Sequence, residues 1–88
     1  MNGFYLERKD PDKNMNRFYK VVVTETLFGE WALIREWGRI GSPGTVREEW
    51  FETMDLAARS AHKLTGQKQR RGYVVVGSCA VNYAALLP

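Results

Sequence analysis

A chain of 88 residues with 44% hydrophobic and 26% charged side chains has the makeup of one folded domain, able to bury only about 60 to 65% of the surface its unfolded form exposes. Its one cysteine, Cys79, leaves no intramolecular disulfide to be made, and no apolar run approaches the roughly 18 to 20 residues that cross a bilayer, which excludes a disulfide scaffold and a helical membrane protein. The net charge of +3 conceals an asymmetry: residues 56–88 hold five bases and no acid (+5), whereas residues 1–55 hold eight bases and ten acids (−2).

Phe4-Tyr5-Leu6 with Glu7-Arg8-Lys9 is expected to form a short first strand, ended by a turn at Asp10-Pro11-Asp12-Lys13-Asn14, whose residues favour reversals. Arg17 to Glu25 is rich in aromatic and β-branched residues and predicts a second strand. Gly29 closes a hairpin onto a third, Trp31 to Trp37. Pro43-Gly44 has the residue order of the middle of a type II turn, and Thr45 to Glu52 reads as a fourth strand despite three glutamates.

Thr53 or Asp55 is placed to cap a helix reaching Thr65 or Gly66, with Met54, Ala57, Ala58, Ala61 and Leu64 at helical spacing. Arg59, Lys63 and Lys68 fall outside that alanine stripe and are expected to face solvent or a ligand. Gly72 to Val76 has the composition of a last strand. The order predicts an α+β fold: a twisted antiparallel β-sheet, a meander, with one α-helix packed on one face. Residues 1–78 form this domain, and residues 79–88 an apolar tail with no assigned structure.

The run Trp37-Gly38-Arg39 carries the most chemistry. Alternate strand residues share a face, so Leu33, Arg35, Trp37 and, if the strand continues, Arg39 stand together. An indole stacks on a sugar or base, a guanidinium donates paired hydrogen bonds to phosphate, and Gly38 admits a second backbone or a sugar-phosphate chain. Such a pair also packs on itself as a cation–π contact. Taken alone, the run and the charge favour that packing and a solvated basic helix over a polyanion-binding face.

The ordered set Asn14 to Arg17-Phe18-Tyr19, Trp37-Gly38-Arg39-Ile40-Gly41 with Gly44, the alanine-rich stretch 55–65, and Lys68 with Gly72-Tyr73 resembles the WGR domain family. Phe4 to Asp10 is similar to the opening of its short stand-alone bacterial members. The resemblance implies the same sheet-and-helix fold. WGR domains occur inside poly(ADP-ribose) polymerases, where they help bind DNA breaks. On that likeness Trp37 is a stacking platform at a strand end, Arg39 binds phosphate or a partner, and Lys68, Arg70 and Arg71 supply further backbone contacts. The polymerase members carry Lys-Thr-x-Asn where this chain reads Lys68-Gln69-Arg70-Arg71, which puts a preference for a 5′-phosphate in question.

The expected nucleic-acid-binding residues are thus Trp37, Gly38, Arg39, Lys68, Arg70 and Arg71, acting on DNA rather than RNA, at backbone, ends or nicks. An enzymatic role has no motif behind it: no nucleotide-binding glycine pattern occurs, and Glu48, Glu49 and Glu52 do not make a facing pair. With one histidine, His62, and one cysteine, no metal-ligand spacing exists, and neither a metal nor another cofactor is expected. Trp31, Trp50, Phe18, Tyr19 and Tyr73 are assigned to the core. The competing reading is a protein-interaction module, with Arg39 bridging to a partner or residues 79–87 docking on one or self-associating. The start Met1-Asn2-Gly3-Phe4 lacks the pattern of a secretory signal, so a cytoplasmic setting, nucleoid-associated included, is expected and a membrane partner is not.

Overall fold

The computed structural model describes residues 2–79. Five strands, Asn2–Asp10 (β1), Met15–Glu25 (β2), Trp31–Arg39 (β3), Thr45–Phe51 (β4) and Val74–Cys79 (β5), surround one helix, Met54–Arg70 (α1), in sequence. They form a single sheet in the order β4-β3-β2-β1-β5, and every neighbouring pair is antiparallel. The first four strands are a meander. The helix then carries the chain from the β4 edge to the β1 edge, where β5 pairs with β1.

Turn chemistry sets the registers. A 3₁₀ turn at Pro11–Lys13 is closed by Asn14, which takes the left-handed conformation at φ 50° and donates its N–H to the Pro11 carbonyl at 3.2 Å. Gly29, at φ 79°, closes the β2–β3 hairpin, donating to the Thr26 carbonyl, while the Phe28 N–H bonds the Thr26 hydroxyl. The β3–β4 reversal differs from the expected one. The positive φ falls on Gly41 (88°), and the Ser42 N–H bonds the Arg39 carbonyl at 3.1 Å, so the turn centres on Ile40-Gly41. Gly44 lacks a side chain for another reason: a Cβ there would meet Phe18 Cζ and the Trp37 carbonyl oxygen, each at 2.8 Å.

One face of the sheet carries the core. Leu6, Tyr19, Val21, Val23 and Leu33 meet Ala57 and Ala61 of α1, with Phe4, Trp31, Trp37, Phe51, Leu64 and Tyr73 packed around them. Small residues on the helix let it lie close to a sheet surfaced with large ones. Thr53 caps the helix as expected, its hydroxyl accepting from the Leu56 N–H at 3.2 Å.

The helix runs beyond its predicted stop. Gly66 costs about 1 kcal/mol inside a helix, but good helix formers follow it, and Leu64 and Lys68 continue the stripe begun by Ala57 and Ala61. Termination comes instead at Gly72, at φ 97°. Its N–H bonds the Gln69 carbonyl and the Tyr73 N–H bonds the Lys68 carbonyl, both at 3.0 Å, the bond pattern of a Schellman motif.

One assignment to the core changes. Trp50 is 51% exposed because it stands opposite Ala32 on the uncovered face of edge strand β4, where its Nε1 donates to Glu48. Met54, at the first turn of α1, is also exposed. Phe18 and Tyr19 are buried. Cys79 belongs to β5, opposite Gly3. Residues 80–88, and with them the expected docking tail, lie outside the described residues. Among the described residues, no helix is long and apolar enough to cross a membrane.

Candidate functional site

The β2–β3 hairpin sets Tyr19 opposite Trp37 on the face that carries the helix. Their rings stack, centroids 6.1 Å apart and planes at 24°. Tyr73, turned back by the Schellman motif, meets Tyr19 edge-on at 6.4 Å and 71°. Cross-strand aromatic pairs of this kind are a unit of sheet stability. Trp37 is accordingly half-buried, part of the core's margin and partly open to solvent.

Cations gather on this aromatic floor. Arg35, the next residue of β3 on the same face, holds its Cζ 5.8 Å from the Trp37 ring and its Nη2 3.1 Å from the Glu49 carboxylate. Its Nε is buried and makes no hydrogen bond, an arrangement that costs free energy unless a partner arrives. Lys68 places its Nζ 4.7 Å from the Tyr19 ring centroid and 5.8 Å from that of Tyr73. Burial, then the charges of Arg71 and Arg35, hold its ammonium below the ordinary lysine pKa. With Arg71, Gln67 and Leu64 these groups line an open cleft of about 300 Å³ between α1 and the sheet.

Of the six residues singled out by sequence, Trp37, Lys68 and Arg71 share this cleft. Lys68 belongs there because it extends the buried stripe of α1, contrary to the expectation that it falls outside it. Arg39 ends β3 on the same face and is exposed. Gly38 lies on the opposite face, where the backbone of Gly44 fills the space a side chain would need: a Cβ on Gly38 would come 3.2 Å from Gly44 Cα. The second backbone admitted by Gly38 is therefore this chain's own. Arg70 is exposed and passes over Gly66, away from the cleft. Sequence reasoning omitted Tyr19, Arg35 and Gln67 from the site, although the hairpin register alone pairs Tyr19 with Trp37.

The cleft can hold an extended anion with planar groups: the half-buried indole of Trp37 offers stacking surface, backed by the buried Tyr19 ring, and three cations with an amide offer donors. Comparison with known proteins agrees with the fold. The chain matches the WGR domain over residues 3–79. It is 42% identical over 69 residues to an uncharacterized protein, y4dW, of Sinorhizobium fredii, a match covering 78% of this chain and 34% of the relative. The chain thus spans about a third of the relative it matches. No solved structure matches it. The domain match begins in β1, ends with β5 and takes in the whole of the cleft, and by it the chain belongs to the WGR domain family.

Proposed function

We propose that this chain is a non-enzymatic nucleic-acid-binding module that takes the DNA backbone at ends, nicks or other exposed strands. WGR domains are associated with nucleic-acid binding in proteins like the poly(ADP-ribose) polymerases. The observation that carries the reading is the cleft itself, where Arg35, Lys68 and Arg71 surround the stacked Tyr19 and Trp37. Stacking tolerates any base and cations follow the backbone, so the pairing fits strand recognition without sequence readout. No carboxylate or histidine is among the described residues lining the cleft, so it is better furnished to bind an anion than to move its protons.

Within this reading Trp37 stacks on a sugar or base, and Arg39, Lys68 and Arg71 hold phosphates. Gly38 serves by letting the Gly44 turn close beneath β3. Arg70 contributes at most a diffuse charge. The test is a titration of labelled nicked, blunt and closed-hairpin duplexes, with matched RNA, at two salt concentrations. Contacts to about three to five phosphates give log K a slope against log salt of roughly −3 to −4.5, with the nicked duplex preferred over the closed hairpin. Absence of binding at low salt would overturn the function. Equal affinity for open and closed duplexes would overturn the end preference alone.

A further inference from the structure

The strand register produces an arrangement that neither composition nor the WGR run foretells. Arg8 of β1 stands directly opposite Arg17 of β2, and Arg17 directly opposite Arg39 of β3. All three lie at positions of the helix-bearing face: Arg8 is two residues from core Leu6, Arg17 two from Tyr19, and Arg39 two from Trp37. Adjacent strands are about 4.8 Å apart, so the three form a row whose outer Cα atoms are separated by about 10 Å.

Like charges directly opposite one another destabilise a sheet, and among the described residues no acid forms an ion pair with this row. None of the three arginines has an acidic partner among the described residues, where the ion pairs are Lys9–Glu7, Arg35–Glu49 and Arg59–Asp55. Asp10 shares the face two residues beyond Arg8 but forms no ion pair. The C-terminus of α1 supplies a partial negative charge of only about half a unit, against five cations once Lys68 and Arg71 are included.

The row is joined to the cleft at two points. Arg39 follows Trp37 at the next same-face position of β3, about 7 Å along the strand. Arg8 reaches the helix end, where its Nε lies 3.3 Å from the place a Cβ would occupy on Gly72. Gly72 immediately follows Arg71, so the row runs past the C-terminus of α1 and its cations.

Resting on the nucleic-acid reading above, we infer that Arg8, Arg17 and Arg39 form a phosphate track leading out of the Trp37 cleft, which takes consecutive phosphates of one nucleic-acid strand. A row of about 10 Å spans about three rises of 3.4 Å along one strand of a duplex, so three arginines reach consecutive phosphates. Cations in register at a fixed spacing fit a polymer with regularly spaced charges. The desolvated aromatic end of the track receives the sugar or base at the strand terminus.

The experiment measures the salt dependence of binding to a nicked duplex for the natural chain, a variant carrying Arg8→Gln, Arg17→Gln and Arg39→Gln, and one carrying the three arginines as lysine. Thermal unfolding of each confirms the fold. The glutamine variant is expected to lose about 2.7 from the magnitude of the slope, at about 0.9 per phosphate; the lysine variant keeps it. If the natural chain binds and the glutamine variant's slope is unchanged, the track is overturned and the cleft stands. If the natural chain binds no nucleic acid at low salt, both readings fall. Poly-glutamate of equal charge competing as well as DNA would also overturn the assignment to a phosphate strand. Should the triple variant unfold, Arg17→Gln alone, with an expected slope change of about 0.9, decides in the same way.

Discussion

The ammonium of Lys68 sits 4.7 Å from the centroid of Tyr19, the ring on which Trp37 stacks. Its charge lies over the rings of Tyr19 and Tyr73 and shares the cleft with two further cations, Arg71 and Arg35. Lys68→Met keeps an unbranched stem of similar length and removes the charge. It loses a cation–π contact of about 0.5 to 1 kcal/mol and relieves repulsion of similar size, so stability is expected to change by no more than about 1 kcal/mol. Binding of the nicked duplex weakens, with the salt slope reduced by about 0.9. Urea unfolding and the duplex titration check both halves. Unchanged binding would remove Lys68 from the site.

The same residue gives a pH dependence of definite sign. Facing Lys68 are Arg71 at the C-cap of its helix, Arg35 from β3 with Glu49 behind it, and the rings of Tyr19 and Tyr73. Burial, Arg71 and Arg35 lower its pKa in the folded chain below the ordinary 10.5. Between the lowered value and the ordinary one, the unfolded chain binds more protons than the folded one, so this group's contribution to stability rises with pH across that window. A bound phosphate acts oppositely, favouring the charged amine, so strand binding takes up protons in the same window. The stability of the natural chain minus that of Lys68→Met is therefore expected to grow as pH rises toward the ordinary lysine value of 10.5, while its advantage in affinity shrinks. A flat difference in stability would mean that the ammonium is not perturbed.

Arg17 separates stability from binding more sharply. It stands between Arg8 and Arg39 in the cross-strand row, so Arg17→Glu turns two like-charge pairs into two opposite ones. Cross-strand pairs differ by about 0.2 to 1 kcal/mol each, and the variant is expected to unfold at a higher urea concentration than the natural chain. Binding is expected to fall because a cation is lost and a repelling carboxylate takes its place. Stabilisation with loss of binding is the behaviour of a residue kept for its ligand. Loss of stability would mean that the arginines are held by contacts within the fold.

Most of the fold was legible because the elements announce themselves locally. β2 and β3 are β-branched and aromatic, the turn between them contains Gly29, and Thr53 caps the helix. What was not legible depended on which of two local signals prevailed. Pro43-Gly44 has the letters of a turn, but Gly41 takes the positive φ, and Gly44 is small because Phe18 and the Trp37 carbonyl crowd it. Gly66 has the letter of a stop, yet the stop is at Gly72, where tertiary packing of Lys68 and Tyr73 completes the motif. Of the candidate cleft, Trp37, Lys68 and Arg71 were already singled out by sequence. The arginine row was not, because counting charge by halves assigns Arg8, Arg17 and Arg39 to an acidic stretch, whereas pairing aligns them on one face and leaves Glu7, Glu36 and Glu48 on the other.

Gly44 tests the support beneath the WGR run. A Cβ there would lie 2.8 Å from Phe18 Cζ, 2.8 Å from the Trp37 carbonyl oxygen and 2.9 Å from Glu36 Cγ. Two of these belong to a buried ring and a strand backbone, which do not yield easily. Gly44→Ala is expected to destabilise the domain by about 1 to 3 kcal/mol, the cost of overpacking, as read from urea unfolding. A change under about 0.5 kcal/mol, the scale of an ordinary surface substitution, would mean that the β3–β4 turn shifts freely and does not brace Trp37.

Gly72 couples the end of the helix to the arginine row. Its φ of 97° is open to glycine and strained for residues with a Cβ, and alanine in a left-handed conformation costs about 1 to 2 kcal/mol. The added carbon would also lie 3.3 Å from Arg8 Nε, pressing on that guanidinium. Gly72→Ala is therefore expected to lower stability by about 1 to 2 kcal/mol and to weaken strand binding at low salt. Arg8→Gln is expected to weaken binding to a similar degree with little change in stability, since Arg8 has no ion pair among the described residues. The double variant discriminates. If Gly72 affects binding through Arg8, the two losses of affinity do not add, and the coupling appears in a double-mutant cycle. Additive losses would mean that Gly72 acts on Lys68 and Tyr73 through the helix cap, independently of the arginines.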